Sequence, residues 1–183
     1  MGGEVRPTLL RRSDAALVVI DVQEAFRKSV EGFDAMAASV ATLVQGARIL
    51  SVPVIVSEQY PRGLGATVPE VAGHLEGVEP LEKVDFSALH AEGFDLGGRT
   101  QALICGVETH VCVSQTAQEL LARGIEVHVA ADAVGSRTEA NREVGLRRME
   151  RAGAIITSTE AALFELLERA GTPEFKAIQQ LVL

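Results

Sequence analysis

The run Ala15–Ile20 (AALVVI) constrains this chain more than any other feature. Six apolar residues, the last three β-branched, end abruptly at an acid, Asp21. A strand that is apolar at every position has no polar face to give to water. It is therefore buried on both sides, as a strand inside a parallel sheet is. Similar short runs recur at residues 53–57 (PVIVS), 101–106 (QALICG), 126–131 (EVHVAA) and 154–157 (AIIT). The segments between them carry a different period. Residues 33–50 place Phe33, Met36, Ala37, Val40, Leu43, Val44, Ala47 and Leu50 three and four apart, the spacing of one helix face. Residues 111–123 repeat this with Val113, Ala117, Leu120 and Leu121, and Glu139–Ala152 does so with Val144, Leu146 and Met149. A further helix is expected over 161–170 and a last one from Pro173 to about 181. Gly124, Gly153 and Gly171 stand where helix ends favour a residue free to turn left-handed. Strand and helix alternate, which predicts a doubly wound, three-layer α/β/α fold with a mostly parallel, Rossmann-like sheet.

Size and charge narrow the class. The 183 residues make one domain, spanning 1–183, long enough to bury about 70% of the unfolded surface. Two cysteines exclude a disulfide scaffold, and 47% hydrophobic residues exclude a disordered chain. A net charge of −8 without a basic cluster argues against nucleic acid or an anionic membrane surface as partner. The longest aliphatic run falls far short of the roughly 20 residues of a membrane span. Arg6, Arg11 and Arg12 are followed by no apolar segment of a secretory leader, so a cytoplasmic protein is expected.

One stretch breaks the alternation. Residues 58–98 are irregular and rich in Gly and Pro, a length that usually builds a site or holds small elements of its own. A short strand at Leu81–Lys83 and a helical turn over 86–90 are expected within it.

Ligands of open α/β sheets bind beyond the carboxyl ends of the strands, which selects Asp21, Glu58, Gln59, the 106–112 loop, Asp132, Thr157 and Ser158. Asp132, Thr157 and Ser158 also suit helix capping. Asp21 follows a buried strand with no helix start nearby, so its carboxylate must be paired, solvated or used. Cys112 opens a helix, where backbone amides and the helix dipole favour a thiolate and can hold an oxyanion. Cys105, inside a strand, reads as a small buried hydrophobe. The four histidines, at 74, 90, 110 and 128, lack metal-ligand spacing, and Gly63-Leu64-Gly65 is too short for a phosphate loop.

Three motifs in order carry a resemblance: Val18-Val19-Ile20-Asp21-Val22-Gln23 with Phe26, Lys83-Val84-Asp85-Phe86-Ser87, and Gly106-Val107-Glu108-Thr109-His110-Val111-Cys112-Val113. Together they are similar to the isochorismatase-like cysteine hydrolase superfamily, over residues 15 to about 171. The stretch Ser57-Glu58-Gln59-Tyr60-Pro61 with Gly63-Leu64-Gly65 looks most like its isochorismatase-domain-containing subgroup. The resemblance implies a catalytic Asp21, Lys83 and Cys112, with Asp21 as general base then acid, Lys83 as a fixed cation and Cys112 as nucleophile. It also implies a cis peptide between Val107 and Glu108 and an oxyanion hole from the Glu108 and Cys112 amides.

Nicotinamidases of this superfamily hold a metal through Asp-x-His after the second strand. Glu58-Gln59-Tyr60 stands there instead, so no metal and no cofactor are expected. Phe26, Gln59, Tyr60 and Phe86 are the expected lining of a small-molecule pocket. The expected activity is metal-free hydrolysis of a small amide, ureide or related carbonyl compound through a thioester. Vinyl-ether hydrolysis of an isochorismate-like compound and an idle scaffold are the alternatives. Homo-oligomers, dimers or larger, are common in the superfamily, and the apolar end Leu181-Val182-Leu183 suits packing on a partner or on its own chain.

Overall fold

The computed structural model describes residues 9–183. The reading of residues 1–12 for a leader thus falls largely on residues 1–8, outside the described residues. Six strands form one wholly parallel sheet: β1 Ala15–Ile20, β2 Val54–Gln59, β3 Leu81–Lys83, β4 Gln101–Val107, β5 Glu126–Gly135 and β6 Ile155–Thr157. Their order is β3-β2-β1-β4-β5-β6. The chain thus starts at the centre, winds outward to β3, and returns to β4 on the other side of β1. The gap beyond β1 and β4 is the switch point at which such sheets bind ligands.

The continuous apolar run of β1 serves both faces. Ala15, Leu17 and Val19 enter a core under the helices α1 Phe33–Ile49, α6 Thr159–Leu167 and α7 Pro173–Val182. Ala16, Val18 and Ile20 enter the opposite core, under α4 Ser114–Ala122 and α5 Glu139–Ala152. At about 25 cal/mol per Å² of apolar surface removed from water, such two-sided burial is the main source of stability. α7 docks on its own chain: Ile178 is fully buried, and Leu181 and Val182 pack against the α1 core.

The long irregular stretch holds more than expected. Besides β3 and a helical turn at Ala88–His90, it forms α2 Pro61–Leu64 and α3 Pro69–Ala72, each opened by a proline at its first position. That is where a fixed φ and a missing N–H do no harm. β5 also differs from the expected 126–131, running on to Gly135. The pairing of Ile104 with Val129 becomes Gly106 with Val134, so the strand bulges between. Asp132 lies on the bulge and caps α6, its carboxylate accepting the Thr159 amide at 2.8 Å.

Candidate active site

The site is assembled where β1 and β4 run closest. Gly106 has φ +114, and a Cβ there would lie 2.0 Å from the Ile20 carbonyl oxygen. Only glycine lets the two strand ends meet so closely, which sets Asp21 beside the loop after β4. Asp21 is itself left-handed, with φ 53, and fully buried. Its amide donates to the Ser57 carbonyl at 3.0 Å, turning the side chain off the sheet axis.

The Asp21 carboxylate has a partner on each oxygen. Ser57 Oγ donates to Oδ1 at 2.8 Å, and Lys83 Nζ donates to Oδ2 at 2.7 Å. Neither side chain of the Asp21–Lys83 pair is exposed to solvent. The ammonium also donates to Gln59 Oε1 at 2.6 Å and to the Phe86 carbonyl at 3.1 Å. Every proton of the ammonium thereby has an acceptor, as a buried polar group requires.

Beyond β4 the Val107–Glu108 peptide is cis, and Thr109–Val113 forms a π-helical turn that leads into α4. The amides of Val111 and Val113 turn back to the Glu108 carbonyl at 3.0 and 3.3 Å, bonds that do not occupy the Glu108 amide. The turn is clamped from β5 and beyond. Thr109 Oγ1 donates to the Gly135 carbonyl at 2.9 Å, His110 Nδ1 meets Ser136 Oγ at 3.0 Å, and Glu108 Oε1 accepts Arg137 Nε at 3.0 Å. α5 closes against it at Gly145, where a Cβ would lie 2.8 Å from the Thr109 backbone.

Cys112 sits in this turn, 6% exposed. Burial pushes its thiol up to about 12, the Asp21 carboxylate pushes in the same direction, and Lys83 pulls back. Desolvation and the neighbouring carboxylate outweigh the pull of Lys83, and so favour the protonated thiol over the thiolate that a helix terminus favours. Cys105 is a fully buried free thiol, as expected, and burial raises it further still.

The expected pocket lining divides. Gln59 is half-buried, its Oε1 on Lys83 and its Nε2 donating to the Val84 carbonyl at 2.8 Å. Phe26 packs half-buried against the α1 core. Tyr60 and Phe86 are 55% and 53% exposed. Tyr60, Arg62, Val84 and Glu92 line a cavity of about 430 Å³ that reaches Lys83. This cavity abuts the buried pair from the β3 edge, and neither Asp21 nor Cys112 lines it. The Glu58 carboxylate accepts the Thr67 amide at 2.6 Å and the Thr67 hydroxyl at 2.7 Å.

Sequence reasoning missed two site residues. Ser57 appears in it only within a motif, although its register opposite Ile20 places it next to Asp21. Gln23, fully buried, braces β2 by accepting the Gln59 amide at 2.8 Å and donating to the Gly65 carbonyl at 2.6 Å.

The isochorismatase domain model matches residues 15–161. The chain belongs to the isochorismatase family. This isochorismatase-family chain is 41% identical to isochorismatase domain-containing protein 2A of Mus musculus, over 91% of its own length and 81% of the mouse protein. Its fold superposes on the MAR1 ribonuclease of Caenorhabditis elegans with a TM-score of 0.89 at 38% identity, covering 95% and 92% of the two chains. The YcaC product of Escherichia coli, an octameric hydrolase of unknown specificity, superposes with a TM-score of 0.88 at 25% identity, covering 99% and 92%. The six-stranded parallel sheet with helices on both faces is thus the isochorismatase fold.

Proposed function

We propose that this isochorismatase-family protein is a cysteine hydrolase of small amides, ureides or related carbonyl compounds, with Asp21, Lys83 and Cys112 as its catalytic residues. One observation carries the reading: a fully buried carboxylate is fixed by a buried ammonium at 2.7 Å, near enough to Cys112 that both charges bear on its thiol. A buried ion pair is seldom worth keeping for stability alone, since apolar residues of similar size serve as well or better.

The chemistry follows from the resting thiol. As a substrate carbonyl arrives, the Cys112 Sγ–H bond breaks and its proton passes to the Asp21 carboxylate. The sulfur electron pair forms the S–C bond, and the carbonyl π pair moves onto oxygen. The amides of Glu108 and Cys112 hold that oxyanion, a contribution on the order of 3 kcal/mol for each donor. The tetrahedral intermediate then expels the amine, which takes the proton from Asp21 and leaves a thioester. Water attacks the thioester and gives its proton to Asp21. The departing sulfur recovers that proton, so one amide and one water yield an acid and an amine. Lys83 keeps its charge throughout and favours each state in which Asp21 is anionic. Neither a metal nor a cofactor takes part in this reading.

Tyr60 offers exposed aromatic surface on the cavity, Phe86 exposes its ring two residues beyond the cavity-lining Val84, Gln59 acts through Lys83, and Phe26 packs against the α1 core. The same exposed group, with Val84 at 73% exposure, suits an assembly of copies such as the octameric relative forms, and light scattering tests this. Two free thiols support a reducing, cytoplasmic setting. A ribonuclease reading is disfavoured by the net charge of −8, and by Glu82, Asp85 and Glu92 around the cavity. An idle scaffold has no need of the buried pair.

The test is a screen of small amides and ureides, with isochorismate and RNA beside them, on the wild type and on Cys112→Ala. Turnover of an amide that is lost in Cys112→Ala supports the proposal. Turnover of isochorismate or RNA with full retention in Cys112→Ala overturns it.

A further inference from the structure

Ser57 is a fully buried hydroxyl within β2, and its hydrogen bond is to Asp21 Oδ1 at 2.8 Å. An ionised carboxylate offers two oxygens with about four lone-pair sites and accepts only. Here Lys83 has taken Oδ2, and Lys83 is saturated by Gln59 Oε1 and the Phe86 carbonyl. Rotation of the carboxylate about its Cβ–Cγ bond is then decided by the second oxygen, which among the described residues takes its hydrogen bond from Ser57. β2 delivers the hydroxyl because Ile20 and Ser57 pair in register, one residue before Asp21.

A hydroxyl differs from an ammonium in one respect that matters for a proton shuttle: it donates or accepts according to its rotor. While Asp21 is anionic, Ser57 donates to it. Once Asp21 has taken the Cys112 proton, it must itself donate, and a Ser57 hydroxyl turned about its Cβ–Oγ bond can accept. Lys83 has no lone pair and cannot do so. One residue therefore satisfies both protonation states of a fully buried base.

We infer that Ser57 is a positioning residue that fixes the Asp21 carboxylate for proton exchange with Cys112. The inference rests on the reading of Asp21 as the base for Cys112, and acts through that residue without touching substrate.

The experiment compares Ser57→Thr with Ser57→Val, which differ in a hydroxyl against a methyl on the same branched frame. Two readouts are taken: kcat and KM on the best amide of the screen, and the rate of Cys112 alkylation by iodoacetamide at pH 8. Ser57→Thr is expected to stay near wild type. Ser57→Val is expected to lose up to about 100-fold in kcat with KM within about twofold, the range that misplacement of a reacting group produces. Its Cys112 alkylation slows as well, because proton removal is no longer assisted. If Ser57→Val does not fold, Ser57→Ala carries the same comparison. Equal kcat and equal alkylation in the hydroxyl and methyl variants overturn the inference. Failure of the underlying reading looks different: Cys112→Ala then retains turnover in the Ser57 wild-type background. Should no amide be turned over, alkylation alone decides the role of Ser57.

Discussion

Replacing Lys83 by methionine is the most informative single perturbation of the site. The change keeps most of the side-chain length and removes the charge. In the wild type the ammonium lies 2.7 Å from Asp21 Oδ2 and 2.6 Å from Gln59 Oε1, with neither member of the ion pair exposed. Its removal leaves a carboxylate oxygen and an amide oxygen facing an apolar methionine tip. Breaking one side of a buried pair in this way costs about 3–5 kcal/mol. For a chain of this size each kcal/mol lowers Tm by about 2–4 °C, so Lys83→Met is expected to melt roughly 6–20 °C below wild type. The double variant Asp21→Asn with Lys83→Met removes both charges and is expected to recover most of that loss while remaining inactive. Urea titration followed by circular dichroism, run as a double-mutant cycle, measures each corner. A Lys83→Met protein within 1 kcal/mol of wild type would refute the reasoning, because the pair would then not be desolvated.

Further outcomes follow from individual contacts. The folded state keeps the Cys112 proton up to about pH 12, against 9.0 for an ordinary thiol, so over that window it binds more protons than the unfolded chain. Stability therefore falls as pH rises from 9.0 toward 12, and denaturation of Cys112→Ala should show a shallower decline. Gly106→Ala sets a Cβ against the Ile20 carbonyl at a φ unsuited to alanine, and should yield insoluble protein or a loss of about 4 kcal/mol by urea titration. Asp132→Ala removes the acceptor of the Thr159 amide and should cost about 1 kcal/mol in thermal melting without altering turnover.

The sheet was legible because β1 is apolar at every position, and a two-sided strand admits few architectures. The bounds of β1, and the ends of α4 and α5 at Gly124 and Gly153, follow from the pattern, whereas the helix expected over 161–170 is α6 Thr159–Leu167, which stops before Gly171 with Glu168 at φ 66. The length of β5 was not legible: Ala133 and Val134 resume the apolar pattern only after Asp132, and a bulge leaves no periodic mark. Asp21 could be singled out because a carboxylate ending a buried strand demands a partner. The partner itself could not be found that way. Lys83 lies 62 residues on in a polar stretch, and only the return of β3 to β2 brings it back, so its role rested on resemblance to a family. Ser57 was hidden for a related reason, since strand register is a property of pairing and not of local pattern. The burial of Cys112, which raises its thiol, is likewise conveyed by no count of neighbouring residues in sequence.

The central claim is that Cys112 becomes covalently acylated during turnover. Intact-mass spectrometry of acid-quenched enzyme, mixed with an amide or ureide substrate from the screen and digested for peptide mapping, tests it most directly. The account predicts an acyl adduct on the peptide carrying Cys112, formed within the first turnover, absent from the peptide carrying Cys105, and accumulating when water attack is slow. Substrate hydrolysis with no adduct on Cys112, at a rate unchanged in Cys112→Ala, would contradict it.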